Sequence, residues 1–185
     1  MRTRRSWWRA SVVVMLTAAV GLPAAAATAK PAAERLGPVV RDGVTQPVFG
    51  YADAIRERVF VTSDVDTDGD GARDVVAMDI IRPKASDEGL RVPVVMDASP
   101  YYSTVCRGNE SECKEDVDGD GLNDKWPLFY DNYFVPRGYA VVLLDMIGTN
   151  HSTGCPVTGG YADNISAPTA IDWLNGRRPG RNAAG

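Results

Sequence analysis

From Tyr139 to Leu144 the sequence runs Tyr-Ala-Val-Val-Leu-Leu, without a charged side chain, between Gly138 and Asp145. So continuous an apolar run describes a strand that water reaches on neither face. Strands of that kind belong to parallel sheets covered by helices, so the run points to an α/β fold. The flanking segments agree. Arg58 to Thr62 and Val75 to Ile81 are short β-branched runs joined by an Asp/Gly-rich turn, which predicts a β-hairpin ended by Arg82-Pro83. Val92 to Asp97 predicts a third strand, with Pro93 near its start where a missing N–H donor is tolerated. Trp126, Phe129, Tyr130, Tyr133 and Phe134 share the spacing of one apolar helical face. Pro127 suits that helix's first turn, and Pro136-Arg137-Gly138 ends it. Beyond the buried run, Ala167, Ala170, Ile171 and Leu174 keep helical spacing up to a stop at Gly176. The order hairpin, strand, helix, buried strand, helix implies a right-handed crossover between parallel strands. The expected sheet is incomplete, with Tyr139 to Leu144 lacking a later strand beside it and left as an aggregation-prone edge.

The N-terminus reads differently. Met1 to Arg9 carries four arginines and no acid, Ala10 to Leu22 is apolar, and Ala24 to Ala29 offers A-x-A sites after Ala27 or Ala29. Charged head, short apolar middle and small-residue exit make residues 1–29 a secretory signal. The apolar stretch is shorter than the roughly 20 residues a membrane-spanning helix needs, so no stable membrane anchor is expected. Arg4-Arg5 ahead of Trp7-Trp8 fits a twin-arginine export signal, with ordinary Sec export as the alternative. Residues 30–50, rich in Ala, Pro and Gly without a clear period, read as a linker or N-terminal arm. Residues 51–185 form the expected folded domain. Removing the signal takes four of the 20 basic residues and none of the 24 acidic ones. The acidic remainder does not favour nucleic acid or anionic lipid. Secretion to an extracellular, oxidising compartment is the expected destination.

Much of the acidity lies in two loops. Asp66, Asp68, Asp70, Gly71 and Asp74 make D-x-D-x-D-G-x-x-D, and Asp116, Asp118, Asp120, Gly121 and Asp124 repeat it. Calcium takes six to eight hard oxygen ligands, and alternate residues of a tight loop aim carboxylates at one centre. The Gly allows the sharp turn. Ala77 and Pro127 stand where an EF-hand needs its bidentate Glu, so these are short loops of the dockerin or thrombospondin-repeat type. Structural Ca²⁺ is the expectation, and two metal-free Asp-Gly turns are the alternative. Of three cysteines, Cys106 and Cys113 flank a polar loop that a disulfide would close, and Cys155 is left over. Their C-x6-C spacing does not suit zinc.

Arg82-Pro83, the strand leading to Ser99-Pro100-Tyr101-Tyr102, and Gly138-Tyr139-Ala140-Val141-Val142 to Asp145, Gly148, Ser152 and Gly154 then line up. With Ala170 to Gly176 (A-I-D-W-L-N-G), they resemble the Xaa-Pro dipeptidyl-peptidase and cocaine-esterase group of serine hydrolases. The resemblance spans about Arg58 to Gly176. It implies the N-terminal part of an α/β-hydrolase sheet, and a peptide with a penultimate proline as substrate of the intact enzyme. It further implies that Tyr101 donates its hydroxyl to the oxyanion hole. Asp145 and Ser152 match structural positions of the family's loop, and His151 reads as a residue near the active-site mouth, since the family's catalytic Asp and His follow the serine. No G-x-S-x-G nucleophile elbow occurs in the sequence, so this chain is expected to be inactive alone. An esterase or acylase of the same group is the alternative enzyme. A secreted calcium-binding interaction module is the alternative from another class.

Overall fold

The computed structural model describes residues 37–103 and 113–183. These lie within the unit Glu34–Gly185; the unit Met1–Ala33, with the signal expected there, lies outside the described residues.

The arm carries β1 (Val40–Arg41) and β2 (Val44–Thr45), paired through a turn in which Asp42 and Gly43 both take positive φ. The Val48 and Phe49 N–H groups then donate to the Pro136 carbonyl at 2.8 and 3.0 Å, so this part of the arm is tied down.

The main hairpin is β3 (Ile55–Thr62) and β4 (Val75–Arg82), in full antiparallel register from Ile55 opposite Arg82 to Thr62 opposite Val75. β5 (Val94–Ser99) begins just after Pro93, two residues later than its apolar run suggests. Pro93 cannot donate to the ladder, but its carbonyl accepts the Ala140 N–H at 2.9 Å. α1 (Tyr130–Phe134), β6 (Ala140–Asp145), α2 (Tyr161–Leu174) and β7 (Arg181–Asn182) follow. The sheet order is β5-β6-β4-β3-β7. Among the described residues only β5 and β6 run parallel, and the other neighbours are antiparallel.

β6 is buried along its whole length, but it is not the edge expected from the chain order. The crossover after β5 returns the chain between β5 and β4, which bond β6 on either side. The edge falls to β5 instead. At the far edge, β7 pairs with β3, where the Arg181 guanidinium lies 4.7 Å from the Phe60 ring centroid.

Alternating strand residues feed two cores. Val59, Val61, Val76, Met78, Ile80, Val142 and Leu144 pack under α2. Ile81, Val141 and Leu143 face the other way, against Tyr102, Trp126 and Val135, with Tyr130 and Phe134 alongside. Both faces of the sheet are thus covered.

The helix expected from Trp126 to Phe134 is broken. Leu128 and Phe129 adopt φ of 67° and 55°, which interrupts the 3.6-residue phase and leaves only the five residues of α1 as α-helix. Trp126 is buried, whereas Phe129 and Tyr133 face out, so these aromatics do not share one face. In α2 the buried residues are Ala162, Ser166, Thr169 and Ala170, while Ile171, placed inward by spacing, is exposed. Small side chains bring this helix close to the sheet: Ser166 Oγ accepts the Ile147 N–H at 3.1 Å. No helix among the described residues is long and apolar enough to cross a membrane.

Candidate active site

Parallel β5 and β6 end side by side, with Ser99 opposite Asp145. Two loops leave these ends and enclose a cleft of about 570 Å³, with Pro100, Tyr101, Met146, Ile147, Asn150 and Val157 among its lining residues. The crevice beyond the carboxyl ends of strands is where open α/β sheets bind their ligands.

Two adjacent tyrosines separate cleanly here. Tyr102 is buried, and its phenol donates to Asp97 Oδ2 at 2.8 Å, a packing role. Tyr101 is half exposed on the cleft, and its N–H donates to Ser99 Oγ at 3.2 Å. Among the described residues its hydroxyl has no hydrogen-bond partner, which leaves the phenol free to donate to a ligand in the cleft.

The opposite wall is built by the β6 loop, and the Gly148, Ser152 and Gly154 spacing has a physical basis there. A Cβ on Gly148 would lie 2.1 Å from Pro156 N, and one on Gly154 2.5 Å from the Asp74 carboxylate. Ser152 Oγ donates to the Asp145 carbonyl at 2.6 Å and accepts the Ala77 N–H at 2.9 Å, stitching the loop to β4. Ser152 therefore serves the backbone, as its motif position suggests.

Beneath this wall lies an ion cluster that sequence reasoning missed. Lys114 Nζ sits 2.6 Å from Asp79 Oδ2 and 2.5 Å from Asp145 Oδ1, with 1% of its side chain exposed. Arg58 Nε holds Asp79 Oδ1 at 2.7 Å. Two anions thus meet two cations in the core, which limits the cost of burying charge. Asp145 Oδ2 accepts the Asn150 amide at 3.0 Å and lies 3.3 Å from His151 Nδ1. Burial pushes the Asp145 pKa up, but the His151 hydrogen bond, the Lys114 charge and the Lys114 and Asn150 bonds together hold it below the ordinary carboxylate value. His151 itself is partly exposed beside the cleft-lining Asn150. A lone Lys between Cys113 and Glu115 gives no local sign of this role.

Each Asp loop gathers three of its four carboxylates. Asp66, Asp68 and Asp70 bring oxygens within 4.8 Å of one another, as do Asp116, Asp118 and Asp124. Asp74 is buried instead, accepting the Thr67 N–H and hydroxyl at 2.8 and 2.6 Å. Asp120 turns to the Leu122 N–H at 2.7 Å. Clustered, exposed carboxylates are the hard-oxygen donors that calcium takes. A third cluster, Asp79, Asp145 and His151, already holds the Lys114 ammonium on its two carboxylates. Cys113 is disulfide-bonded and Cys155 is free, while Cys106 lies outside the described residues.

A mixed sheet with both faces covered, whose parallel strands deliver two loops to one cleft, defines the N-terminal part of an α/β-hydrolase-like domain. Residues 68–184 match the model of the X-Pro dipeptidyl-peptidase (S15) family, and the chain belongs to that family. It is 48% identical over 180 residues to a Streptomyces avermitilis protein provisionally named Xaa-Pro dipeptidyl-peptidase, covering 97% of this chain and 25% of that protein. A Bacillus anthracis protein with the same provisional name is 39% identical over 141 residues, covering 75% of this chain and 24% of its own length. The Xaa-Pro dipeptidyl-peptidase of Lacticaseibacillus paracasei is 32% identical over 172 residues, covering 74% and 22%. The chain spans about a quarter of the length of these relatives.

Proposed function

We propose that the protein carrying this segment is an exported serine-type peptidase that releases X-Pro dipeptides from peptide N-termini. A serine outside residues 1–185 attacks the carbonyl that follows a penultimate proline, and a histidine takes its proton. As the carbonyl oxygen gains charge, the Tyr101 phenol donates a hydrogen bond to it, a contact that strengthens toward the transition state. The observation that carries this reading is the half-exposed Tyr101 at the end of a parallel strand, facing the cleft with its hydroxyl free.

Turnover of a Gly-Pro chromogenic substrate tests it. Full-length protein should release the chromophore and residues 1–185 alone should not. Release by the short chain would overturn the assignment of the nucleophile. Cleavage of a simple aryl ester by the full-length protein, without release from Gly-Pro, would make it an esterase.

The same proposal includes three accessory features. Residues 1–29 direct export and are removed, leaving residues 30–50 as the arm and 51–185 as the start of the peptidase domain; N-terminal sequencing of exported protein should begin after Ala27 or Ala29. Structural Ca²⁺ occupies the two loops, held by Asp66, Asp68 and Asp70 in one and by Asp116, Asp118 and Asp124 in the other, while Asp74 and Asp120 brace the loop backbones. It neutralises carboxylates that otherwise repel at close range. Cys106 pairs with Cys113, closing the loop that precedes Lys114.

A further inference from the structure

We infer that Lys114 is a positioning residue for the cleft, its buried ammonium joining the turn that bears Asn150 to the segment that bears Tyr101. The first half of the link runs through Asp145, which bonds Lys114 at 2.5 Å with one oxygen and Asn150 at 3.0 Å with the other. Asn150 lines the cleft in a left-handed conformation, φ 46°. Asn tolerates that conformation better than most residues, and here the Asp145 carboxylate fixes where its side-chain amide sits. The second half runs through Tyr102, whose ring centroid lies 4.8 Å from Lys114 Nζ and whose phenol is fixed on Asp97. Tyr101 immediately precedes it and lines the same cleft, across from Asn150.

Charge balance makes Lys114 hard to replace. Among the described residues Arg58 bonds Asp79 and Asn123 but not Asp145, so loss of Lys114 leaves a fully buried Asp145 carboxylate without its strong countercharge. The remaining partners, Asn150 and a partly exposed His151, sit on the very turn they would have to hold. An unpaired buried carboxylate draws water or takes up a proton. Either change loosens Asn150 on one wall while Tyr102 loses the cation over its ring on the other. The Glu115–Lys125 backbone pairing steadies Lys114 from its own loop, with N–H to carbonyl distances of 3.4 and 3.1 Å.

The test has two arms, of which the kinetic one rests on the peptidase reading. Lys114→Met alone leaves the cluster with a net negative charge and can fail to fold, so it is paired with Asp79→Asn, which restores the net balance and leaves Arg58 an amide oxygen to bond while Asp145 still lacks its countercharge. In full-length protein the paired variant should lower kcat for the Gly-Pro substrate by about 10-fold with KM within about threefold. In a Tyr101→Phe background the same pair should cost little more, and Lys114→Arg should retain most activity. Equal fold-losses with and without Tyr101→Phe would mean that Lys114 only stabilises the fold, and would overturn the inference. The second arm does not depend on any activity. In the full-length protein, the paired variant should shift the backbone amide resonances of both Tyr101 and Asn150 and leave those of Asp66 to Ala72 in place. Unmoved Tyr101 and Asn150 resonances would overturn it. A wild-type protein that fails to cleave Gly-Pro substrates would remove the peptidase reading, and the resonances alone would then decide the link.

Discussion

Tyr101 and Tyr102 are chemically identical neighbours, yet the sheet sends one into the cleft and the other into the core. Their hydroxyls therefore do different work, and conservative substitution separates them. Tyr101→Phe in the full-length enzyme should lower kcat by about 10²-fold with little change in KM, as expected for a lost oxyanion donor. Tyr102→Phe should leave kcat within a few-fold but lower the melting temperature, since it strips a charged acceptor of its bond, worth about 1.5–3 kcal/mol. Steady-state kinetics and calorimetry on both variants distinguish the roles. Asp145 carries a second residue-scale consequence. Its native pKa lies below the ordinary value of about 3.9, so its stabilisation is fully present above that value and is lost as pH falls through it toward the native pKa. Asp145→Asn should cost about 3–5 kcal/mol near neutrality, because it removes one partner of a buried pair. It should also flatten the decline in melting temperature as pH falls below the ordinary carboxylate pKa of about 3.9. An unchanged acid limb in that variant would show that Asp145 is not the group titrating.

The two Asp loops are elements of the same design placed differently: one is the β3–β4 turn, and the other precedes α1. In each, the first Asp accepts two glycine N–H groups, from Gly69 and Gly71 and from Gly119 and Gly121. This leaves three carboxylates close together and, without a cation, mutually repelling. Calcium at about 100 times its Kd should add about 2.7 kcal/mol for a site. That corresponds to a rise in melting temperature of about 5–10 °C for a chain of this size. Asp68→Asn and Asp118→Asn should each remove one loop's share, and scanning calorimetry with calcium and with chelator reads both. The loop spacing was visible in the sequence because it repeats, and β3, β4 and β6 because β-branched runs are local signals. The break at Leu128 and Phe129 was not, since it preserves the aromatic spacing while changing the backbone that gives spacing its meaning. β7 is two polar residues and carries no strand pattern at all. Lys114 joins partners 35 and 31 positions away, and a contact of that range writes nothing into its own neighbourhood.

For the molecule as a whole, the order β5-β6-β4-β3-β7 puts the most apolar strand in an interior position and assigns each edge a different character. β7 is short and polar, and Arg178 beside it pairs with Asp64 at 2.5 Å, features that discourage further pairing. β5 is six residues long, its outer side has no partner strand among the described residues, and Val94 is 41% exposed. An edge of that kind is a template for another strand. Residues 1–185 made alone should therefore associate as concentration rises, with an increasing weight-average mass in sedimentation equilibrium. Val94→Lys should suppress that rise, because a solvated charge on the edge opposes strand addition without entering either core. The contact would have to be sought elsewhere if Val94→Lys associated as strongly as the parent chain. The exposed Phe129 and Tyr133, on the far side of the crossover, are the next place to substitute.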